Sequence, residues 1–292
     1  MSQQVRLKHW IAGARPRTWA NAFAPVIMGT GVAAYYEQVH WGQAALALIV
    51  AWSFIIGVNY ANDYSDGIRG TDEDRSGPLR LTGSGLARPQ QVRTAAFLSL
   101  GIGGIAGIIL AAQSSWWLVL VGLVCMIAAW TYTGGKNPYG YKGYGEVSVF
   151  VFFGLVAVNG TAFAQTGSLS WVGLWTSIAI GACSAAVNLA NNLRDIPTDQ
   201  ANGKITLAVK LGDTRTRSCY QALVATPLVM SVIVSFATSW VAVTGFLAAP
   251  FAWIAAQPVR SGAQGKELIP VLASTGRVLL VWAIVTSLAL AF

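Results

Sequence analysis

Residues 187–195 read Val-Asn-Leu-Ala-Asn-Asn-Leu-Arg-Asp, and residues 58–66 read Val-Asn-Tyr-Ala-Asn-Asp-Tyr-Ser-Asp. Five of the nine positions are identical. In both segments a long apolar stretch runs directly into a cluster of amides and carboxylates. Because side chains at i, i+3, i+4 and i+7 share one face of a helix, each cluster is predicted to form one polar face at a helix end. The repeat therefore indicates apolar helices whose ends carry acid.

The composition extends this prediction to the whole chain. Of 292 residues, 54% are hydrophobic and only 10% are charged, and the mean hydropathy is +0.54. A typical soluble domain is about 25% charged. The composition therefore excludes a disordered chain, a collagen and a disulfide scaffold, and it argues against an ordinary soluble enzyme. It is typical of an all-α polytopic membrane protein.

Long uncharged stretches give the number of membrane spans. A span needs about 20 apolar residues, so the three longest stretches can each hold two spans with a tight turn between them. We place those turns at 113–116, 167–170 and 239–240, and we expect the last span to begin near Pro270. The result is nine predicted transmembrane helices. The uncharged stretches are 18–36, 38–62, 94–135, 147–193, 218–259 and 278–292.

The charges then predict the orientation of the chain. With nine spans, all 19 Lys and Arg residues lie on the amino-terminal side, and Glu37 is the only acid on the other side. The positive-inside rule places the amino terminus in the cytoplasm and the carboxyl terminus outside. The net charge of +8 is thus interpreted as orientation in the membrane and not as nucleic-acid binding. No obligate protein partner is inferred.

Two long cytoplasmic loops, 63–93 and 192–217, are predicted to cap the bundle on the side that carries the acids. Loops of this length are uncommon unless they are functional. We therefore expect one transmembrane domain over residues 1–292, with its chemistry at the cytoplasmic face.

The acidic repeat suggests a metal site made of oxygen ligands. A site without His and Cys disfavours zinc, and Mg²⁺ binds carboxylates best when a substrate phosphate completes its shell. Two facing clusters would hold one diphosphate through Mg²⁺, which we expect as two ions. The predicted ligands are Asn62, Asp63, Asp66, Asp195 and Asp199.

The same loops contain cations that could bind the diphosphate. Residues 77–85 are rich in glycine around Arg80, so the backbone can approach an anion closely and the guanidinium can bind it with two hydrogen bonds. Lys136, Arg194 and Lys204 lie in the other predicted cytoplasmic segments. For Arg194, which lies within the second acidic cluster, an ion pair with a neighbouring acid is a competing role.

Three other interpretations compete with a metal-dependent diphosphate site. The acids could serve only as caps and as partners of nearby arginines. A cation-coupled transporter also fits intramembrane acids and a repeat, although these acids lie at the rim and the repeat is not inverted. A CDP-alcohol phosphotransferase would need its second acid pair within a couple of helical turns, whereas here it lies 129 residues on.

Short motifs connect these residues to a known family. Asn62, Asp63 and Asp66 form N-D-x-x-D. In the family pattern a third acid follows, where this chain has Gly70, and Asp72 comes two residues later.

Two further motifs, D-x-x-x-D at Asp195 and Asp199 and Y-x-x-x-K at Tyr132 and Lys136, complete the pattern. Together the motifs resemble those of the UbiA superfamily of intramembrane prenyltransferases. The resemblance covers nearly the whole chain, from Arg15 onward, and is strongest to the branch that prenylates 1,4-dihydroxy-2-naphthoate for menaquinone biosynthesis.

This resemblance implies a nine-helix bundle around a central cavity that opens sideways to lipid, in the cytoplasmic (inner) membrane of a bacterium. It implies transfer of a polyprenyl group from polyprenyl diphosphate to the naphthoate, with release of diphosphate and CO2. Another aromatic acceptor is the alternative. Arg15 or Arg17 would hold the acceptor carboxylate, and Tyr60, Tyr64 or Tyr132 could stabilise an allylic cation. The implied catalytic residues are Asp66, Asp195, Lys136, Tyr132 and Arg80, and the implied diphosphate-binding residues are Arg80, Lys136, Arg194 and Lys204.

Overall fold

The structure, a computed structural model, describes residues 6–70 and 79–292. These residues form helices joined by short connections, with no β-strand among them. The α-helices are α1 (Leu7–Gly13), α2 (Ala20–Tyr35), α3 (Trp41–Ile68), α4 (Pro89–Gln113), α5 (Trp117–Thr131), α6 (Gly145–Val149), α7 (Ala157–Thr166), α8 (Trp171–Ala201), α9 (Leu207–Ala237), α10 (Ala249–Arg260) and α11 (Ile269–Ala291). A π-helical turn, Phe150–Val156, joins α6 to α7, and a 3-10 segment, Trp240–Ala248, leads into α10.

Seven helical segments within the described residues are long and apolar enough to cross a membrane, so the chain is a multi-pass membrane protein. The other two predicted spans correspond to α2 and α5, which are shorter, with 16 and 15 residues. The breaks predicted inside the three longest uncharged stretches are confirmed, between α4 and α5, between α7 and α8, and after α9. The seven segments are Trp41–Ile68, Pro89–Gln113, Gly145–Thr166, Trp171–Ala201, Leu207–Ala237, Trp240–Arg260 and Gly265–Ala291.

The predicted extents of both cytoplasmic loops, 63–93 and 192–217, are wrong. The first acidic cluster lies inside α3, which ends at Ile68. The second lies inside α8, and only the residues between Ala201 and Leu207 separate that helix from α9. A charged residue ends an apolar stretch, but it does not end a helix when its side chain finds hydrogen-bonding partners at the helix end. The acids of both clusters therefore lie within helices and not in loops.

Pro197 lies inside α8 and does not end the helix. The helix continues through it to Ala201. A proline removes one backbone donor and crowds the preceding turn. Here α8 packs along α9 and α11 and is the most buried of the seven candidate spans, so tertiary contacts hold the helix together across the proline.

Close helix packing around α8 sets the position of the second acidic cluster. The π-helical turn crosses α8 where Gly154 faces Gly181, and a Cβ on Gly154 would overlap the other glycine. On the other sides α8 contacts α9, α11 and α2. Large buried side chains such as Tyr220 and Trp282 fill the core between these helices.

Candidate active site

A cavity of about 580 Å³ lies among the helices and has two chemically different ends. One end is polar, and apolar side chains of α3, α5 and the Phe150–Thr166 region line the other. An apolar cavity with a few convergent polar groups is the usual form of a small-molecule site. The polar end is lined by Arg15, Arg17, Asn62, Arg80, Tyr132, Asn188, Asn191 and Arg194.

In the first acidic cluster, Asp63 anchors the segment that follows the undescribed residues. Its two carboxylate oxygens accept hydrogen bonds from the backbone N–H groups of Leu81 and Thr82, at 2.7 and 2.8 Å. Asp63 is fully buried. Since these bonds use both oxygens, the arrangement makes Asp63 an anchor that holds Arg80 over the end of α3.

Asp66, one helical turn further along α3, is bound by groups from two other segments. The Tyr141 hydroxyl donates to its Oδ1 at 2.7 Å. Arg80 Nη2 lies 3.4 Å from its Oδ2, as an ion pair that is buried on both sides. A charged carboxylate this deeply buried needs such partners.

In the second acidic cluster, the cations come from α8 itself and from the residues just after it. The Arg194 guanidinium contacts Asp195 with two hydrogen bonds of 2.7 Å and also donates to Asn191 Oδ1 at 2.8 Å. Lys204 Nζ lies 3.6 Å from Asp199 Oδ1. The ion pairing expected for Arg194 from the sequence is therefore present.

Tyr141 lies between the two acidic clusters. Its hydroxyl binds Asp66 of the first cluster, and Lys204, the partner of Asp199 in the second, lies over its ring at 5.3 Å from the centroid. Arg69 lies over the same ring at 5.4 Å. Tyr141 and Lys204 thus connect the end of α3 with the end of α8. Sequence reasoning missed Tyr141 because no motif distinguishes it from the other tyrosines of 132–144.

Among the described residues, no carboxylate lines the cavity. Arg80 and Arg194 do, and each also pairs with a carboxylate. An anion at the polar end would therefore meet these two guanidinium groups.

Tyr132 and Asn62 are both at the polar end, as expected for site residues. Asn62 Oδ1 accepts a hydrogen bond of 2.7 Å from Thr133. Tyr132 contacts Tyr139 edge to face at 5.5 Å between ring centroids. Burial raises the pKa of Tyr139, so this phenol stays protonated and its hydroxyl can donate to Ala128 O at 2.9 Å.

The other two tyrosines considered for cation stabilisation are placed elsewhere. Tyr60 packs against Trp10 and donates to its carbonyl, and Tyr64 stacks on Trp130. Neither lines the cavity, whereas Tyr132 does. The expectation for Tyr60 and Tyr64 is therefore wrong, because their positions on α3 face other helices.

The basic residues considered for the site are not all gathered there. Arg15 and Arg17 line the cavity. Arg15 has φ of 53°, a left-handed conformation that is uncommon outside glycine. Lys136 is exposed and does not line the cavity. Asp72 lies outside the described residues.

Glu146 is a buried acid that sequence reasoning did not select. Its Oε1 accepts a hydrogen bond of 2.6 Å from Asn192 on α8, and the residue is only 4% exposed. The available signal was its position, since it is the last charged residue before the uncharged stretch 147–193.

The donor set fits Mg²⁺ without forming a complete cage. The side chains at both helix ends offer carboxylate and amide oxygens, which hard cations prefer. Within the described part of the chain, no group of three or more His, Cys, Asp or Glu side chains is close enough to hold a metal ion. Mg²⁺ commonly binds through one or two carboxylates plus substrate phosphates, so a site that is completed by a diphosphate agrees with this geometry.

Comparison with known proteins identifies the family. The model of the UbiA prenyltransferase family matches residues 22–269. The chain belongs to the UbiA prenyltransferase family. It is 58% identical over 283 residues to the 1,4-dihydroxy-2-naphthoate octaprenyltransferase of Mycobacterium tuberculosis, covering 97% of each chain. It is 38% identical over 235 residues to the enzyme of the same name from Escherichia coli, covering 78% of this chain and 76% of that one.

Solved structures of UbiA homologues have the same fold. The apo homologue from Aeropyrum pernix K1 superposes with a TM-score of 0.70 at 16% identity, over 94% of this chain and 96% of that one. A homologue from Archaeoglobus fulgidus, solved with DMAPP and Mg²⁺, gives 0.67 at 15% identity, over 97% and 98%. The described arrangement of helices is thus a UbiA fold.

Proposed function

We propose that this UbiA family member transfers a polyprenyl group from polyprenyl diphosphate to 1,4-dihydroxy-2-naphthoate, releasing diphosphate and CO2 and giving a demethylmenaquinol. The observation that carries the proposal is the cavity, which joins a cationic end to an apolar chamber. A polyprenyl diphosphate has matching parts, an anionic head for the cationic end and an apolar tail for the apolar chamber. The relative from M. tuberculosis, 58% identical over nearly the full length of both chains, supports the choice of acceptor.

The chain binds the diphosphate with its own cations. Arg80 and Arg194 face the cavity, and Lys204, just after α8, pairs with Asp199. Positive charge fixed where a leaving group gains negative charge is commonly the largest catalytic contribution. Asp66, Asp195 and Asp199, together with Asn62, would hold Mg²⁺ once the arginine and lysine partners of the three acids turn toward the phosphates. When bound, Mg²⁺ would supply further neutralisation of the leaving group. Asp63 serves chiefly to hold the Arg80 segment.

The acceptor lies between the diphosphate site and the α1–α2 connection. The C–O bond of the donor breaks and its electron pair leaves with the diphosphate. The Tyr132 ring, at the same end of the cavity, stabilises the allylic cation. The ring carbon that bears the carboxylate, electron-rich because of the naphthol hydroxyls, then forms the new C–C bond. The bond from this carbon to the carboxylate breaks, the carboxylate held until then by Arg15 or Arg17 leaves as CO2, and the electron pair of that bond restores the aromatic ring.

The proposal includes the arrangement in the membrane. Nine spans, counting the short helices α2 and α5, form one domain with the amino terminus in the cytoplasm and the carboxyl terminus outside. The distribution of all 19 basic residues supports this orientation. The ends of α3 and α8 then place the active site at the cytoplasmic face of the bacterial inner membrane, and tail and product reach the bilayer directly.

A product assay tests the function. Membranes containing the chain receive 1,4-dihydroxy-2-naphthoate, a long polyprenyl diphosphate and Mg²⁺, with and without EDTA. We expect a prenylated naphthoquinone that the chelator abolishes. Turnover of 4-hydroxybenzoate in its place would overturn the acceptor and keep the reaction class. Absence of product with any phenol would overturn the proposal in favour of a cation-coupled transporter.

A further inference from the structure

The apolar part of the cavity is long enough to hold a substantial part of an isoprenoid tail. Along α3, the lining runs from Asn62 at the polar end to Ala47 near the other end of the helix. At 1.5 Å per residue this distance is roughly 22 Å. Since the apolar chamber is continuous with the cationic end, its occupant under the proposed function is the tail of the diphosphate donor.

Two glycines lie at the middle of this chamber. On α5 the cavity-lining residues include Leu118, Gly122, Cys125 and Ala129, whose spacing of four, three and four residues puts them on one helical face. Gly160 has the corresponding place on α7, between cavity-lining residues on both sides along that helix. A Cβ added to either glycine would meet no other atom within 4 Å.

These glycines differ from those that serve helix packing. At Gly31 an added Cβ would overlap Ser287, and at Gly181 it would lie 2.8 Å from Phe150 O. Such positions require glycine because another helix is in contact. At Gly122 and Gly160 no neighbour requires it, although glycine weakens a helix interior. Because glycine has no side chain, these two positions leave open space inside the cavity.

Both glycines lie at a similar depth from the polar end. Gly122 is ten residues from Tyr132 along α5 and its continuation, roughly 15 Å. Gly160 is twelve residues, roughly 18 Å, along its helical segment from Ser148, whose hydroxyl contacts Tyr139 next to Tyr132. A short tail ends before this depth, whereas a long tail passes between the two helices at this level.

We propose that Gly122 and Gly160 determine the length of the isoprenoid tail that the cavity accepts, by keeping its middle open. This inference rests on the proposed function. A large side chain at either position occupies the path of a long tail and leaves the diphosphate site and the first part of the tail path unchanged.

The experiment compares a short donor, geranyl diphosphate, with a long one, octaprenyl diphosphate. For each protein, kcat/KM is measured with both donors and expressed as the ratio of long to short. In Gly122→Phe and Gly160→Phe we expect this ratio to fall at least about tenfold, since a bulky group blocks only the long tail. A ratio cancels differences in the amount of folded protein. If a phenylalanine variant does not accumulate, the leucine variant at that position provides the comparison.

Gly101→Phe is the matched control. Gly101 lies on α4, an added Cβ there also meets nothing within 4 Å, and the residue is exposed and does not line the cavity. Its ratio is expected to stay at the wild-type value. An unchanged ratio in both cavity variants, or an equal fall in the control, would overturn the inference.

A binding measurement separates this inference from the proposed function. Thermal stabilisation of the purified protein by each donor, with Mg²⁺ and without any acceptor, gives a long-to-short comparison that needs no turnover. Suppose that the wild-type chain forms no product from the naphthoate, but the cavity variants lose stabilisation by the long donor alone. The proposed acceptor would then be wrong, and the proposed tail-binding site would be supported. If stabilisation of the cavity variants matches the wild type for both donors, the tail site is wrong.

Discussion

The ends of α3 and α8 carry the same sequence repeat but obtain their cations in different ways. At the end of α3, Arg80 pairs with Asp66, and the two residues after Arg80 donate backbone hydrogen bonds to Asp63. These partners belong to a separate segment, 14 to 19 residues further along the chain than the acids they bind. At the end of α8, Asp195 is bound by the adjacent Arg194. One cluster takes its cation from a segment distant in sequence, and the other takes its cations from α8 and the residues just after it.

This difference assigns different tasks to the two clusters. Because α8 is packed on several sides, Arg194 and Asp195 have a fixed position in the bundle. The Arg80 segment is held by two backbone hydrogen bonds to Asp63, which can break without disturbing a helix. We infer that the Arg80 segment can move independently of the helices, whereas the backbone at the α8 end is held by helix packing and only its side chains can turn.

The largest loss of activity is expected at Asp66 and Asp195, which occupy the same position in the two copies of the repeat. Asp66→Asn and Asp195→Asn should each lower kcat by about 10²- to 10³-fold, since each removes a charge from the proposed metal and diphosphate site. The amount of protein in the membrane should stay near the wild-type level. Product formation from naphthoate and polyprenyl diphosphate measures the first quantity and immunoblotting the second.

The control for these variants is Asp213→Asn. Asp213 also pairs with an arginine, Arg217, at 2.6 Å, but its side chain is 52% exposed and lies away from both clusters. Its loss should leave kcat unchanged. Full activity of Asp66→Asn or Asp195→Asn would show that these acids only balance nearby arginines, which is the competing interpretation of the sequence.

An intermediate effect is expected at Asp63, where the two ends differ. Asp63→Ala removes two hydrogen bonds to a charged acceptor, which hold the Arg80 segment, so kcat/KM should fall about 10- to 100-fold. Limited proteolysis at residues 79–88 should become faster in the same variant. If activity fell as far as in Asp66→Asn and proteolysis stayed unchanged, Asp63 would be a direct ligand and not an anchor.

The sequence predicted the broad fold because membrane helices follow from composition. Uncharged stretches located the helices, and Ser, Gly and Trp marked the turns between them. The loop boundaries were wrong because hydropathy marks the limit of the apolar region, whereas α3 and α8 continue beyond it with polar residues. A helix end is set by backbone partners that a count of charges does not include.

Site residues that belong to the sequence repeat could be predicted. Site residues that matter only through tertiary contacts could not. The repeat located Asp66 and Asp195 on equivalent helix ends. Tyr141 could not be selected, and position in the sequence was the one signal for Glu146, because their importance lies in contacts with Asp66 and Asn192, which are distant in sequence. Lys136 matched a motif and is nevertheless exposed, since spacing along a chain does not fix the direction of a loop side chain.

A smaller effect is expected at the residue that joins the two ends. Tyr141→Phe removes the 2.7 Å hydrogen bond to Asp66 and keeps the ring under Lys204, so kcat/KM should fall about tenfold. The matched control is Tyr144→Phe, because Tyr144 is exposed and its ring lies under Lys210, at 5.6 Å from the centroid to Nζ. Equal losses in both variants would contradict a specific role of Tyr141.

The smallest loss of activity is expected at Glu146, which accepts a hydrogen bond from Asn192 of α8. Glu146→Gln keeps an oxygen that can accept from Asn192 Nδ2 and removes only the negative charge, so kcat/KM should stay within about threefold of the wild type. Glu146→Ala removes the acceptor and should lower activity further, because Asn192 is left buried without this partner. A loss in Glu146→Gln as large as in Asp195→Asn would mean that the charge itself is required. The α8 end would then contain a third functional carboxylate, and the two ends of the repeat would differ in their chemistry as well as in the source of their cations.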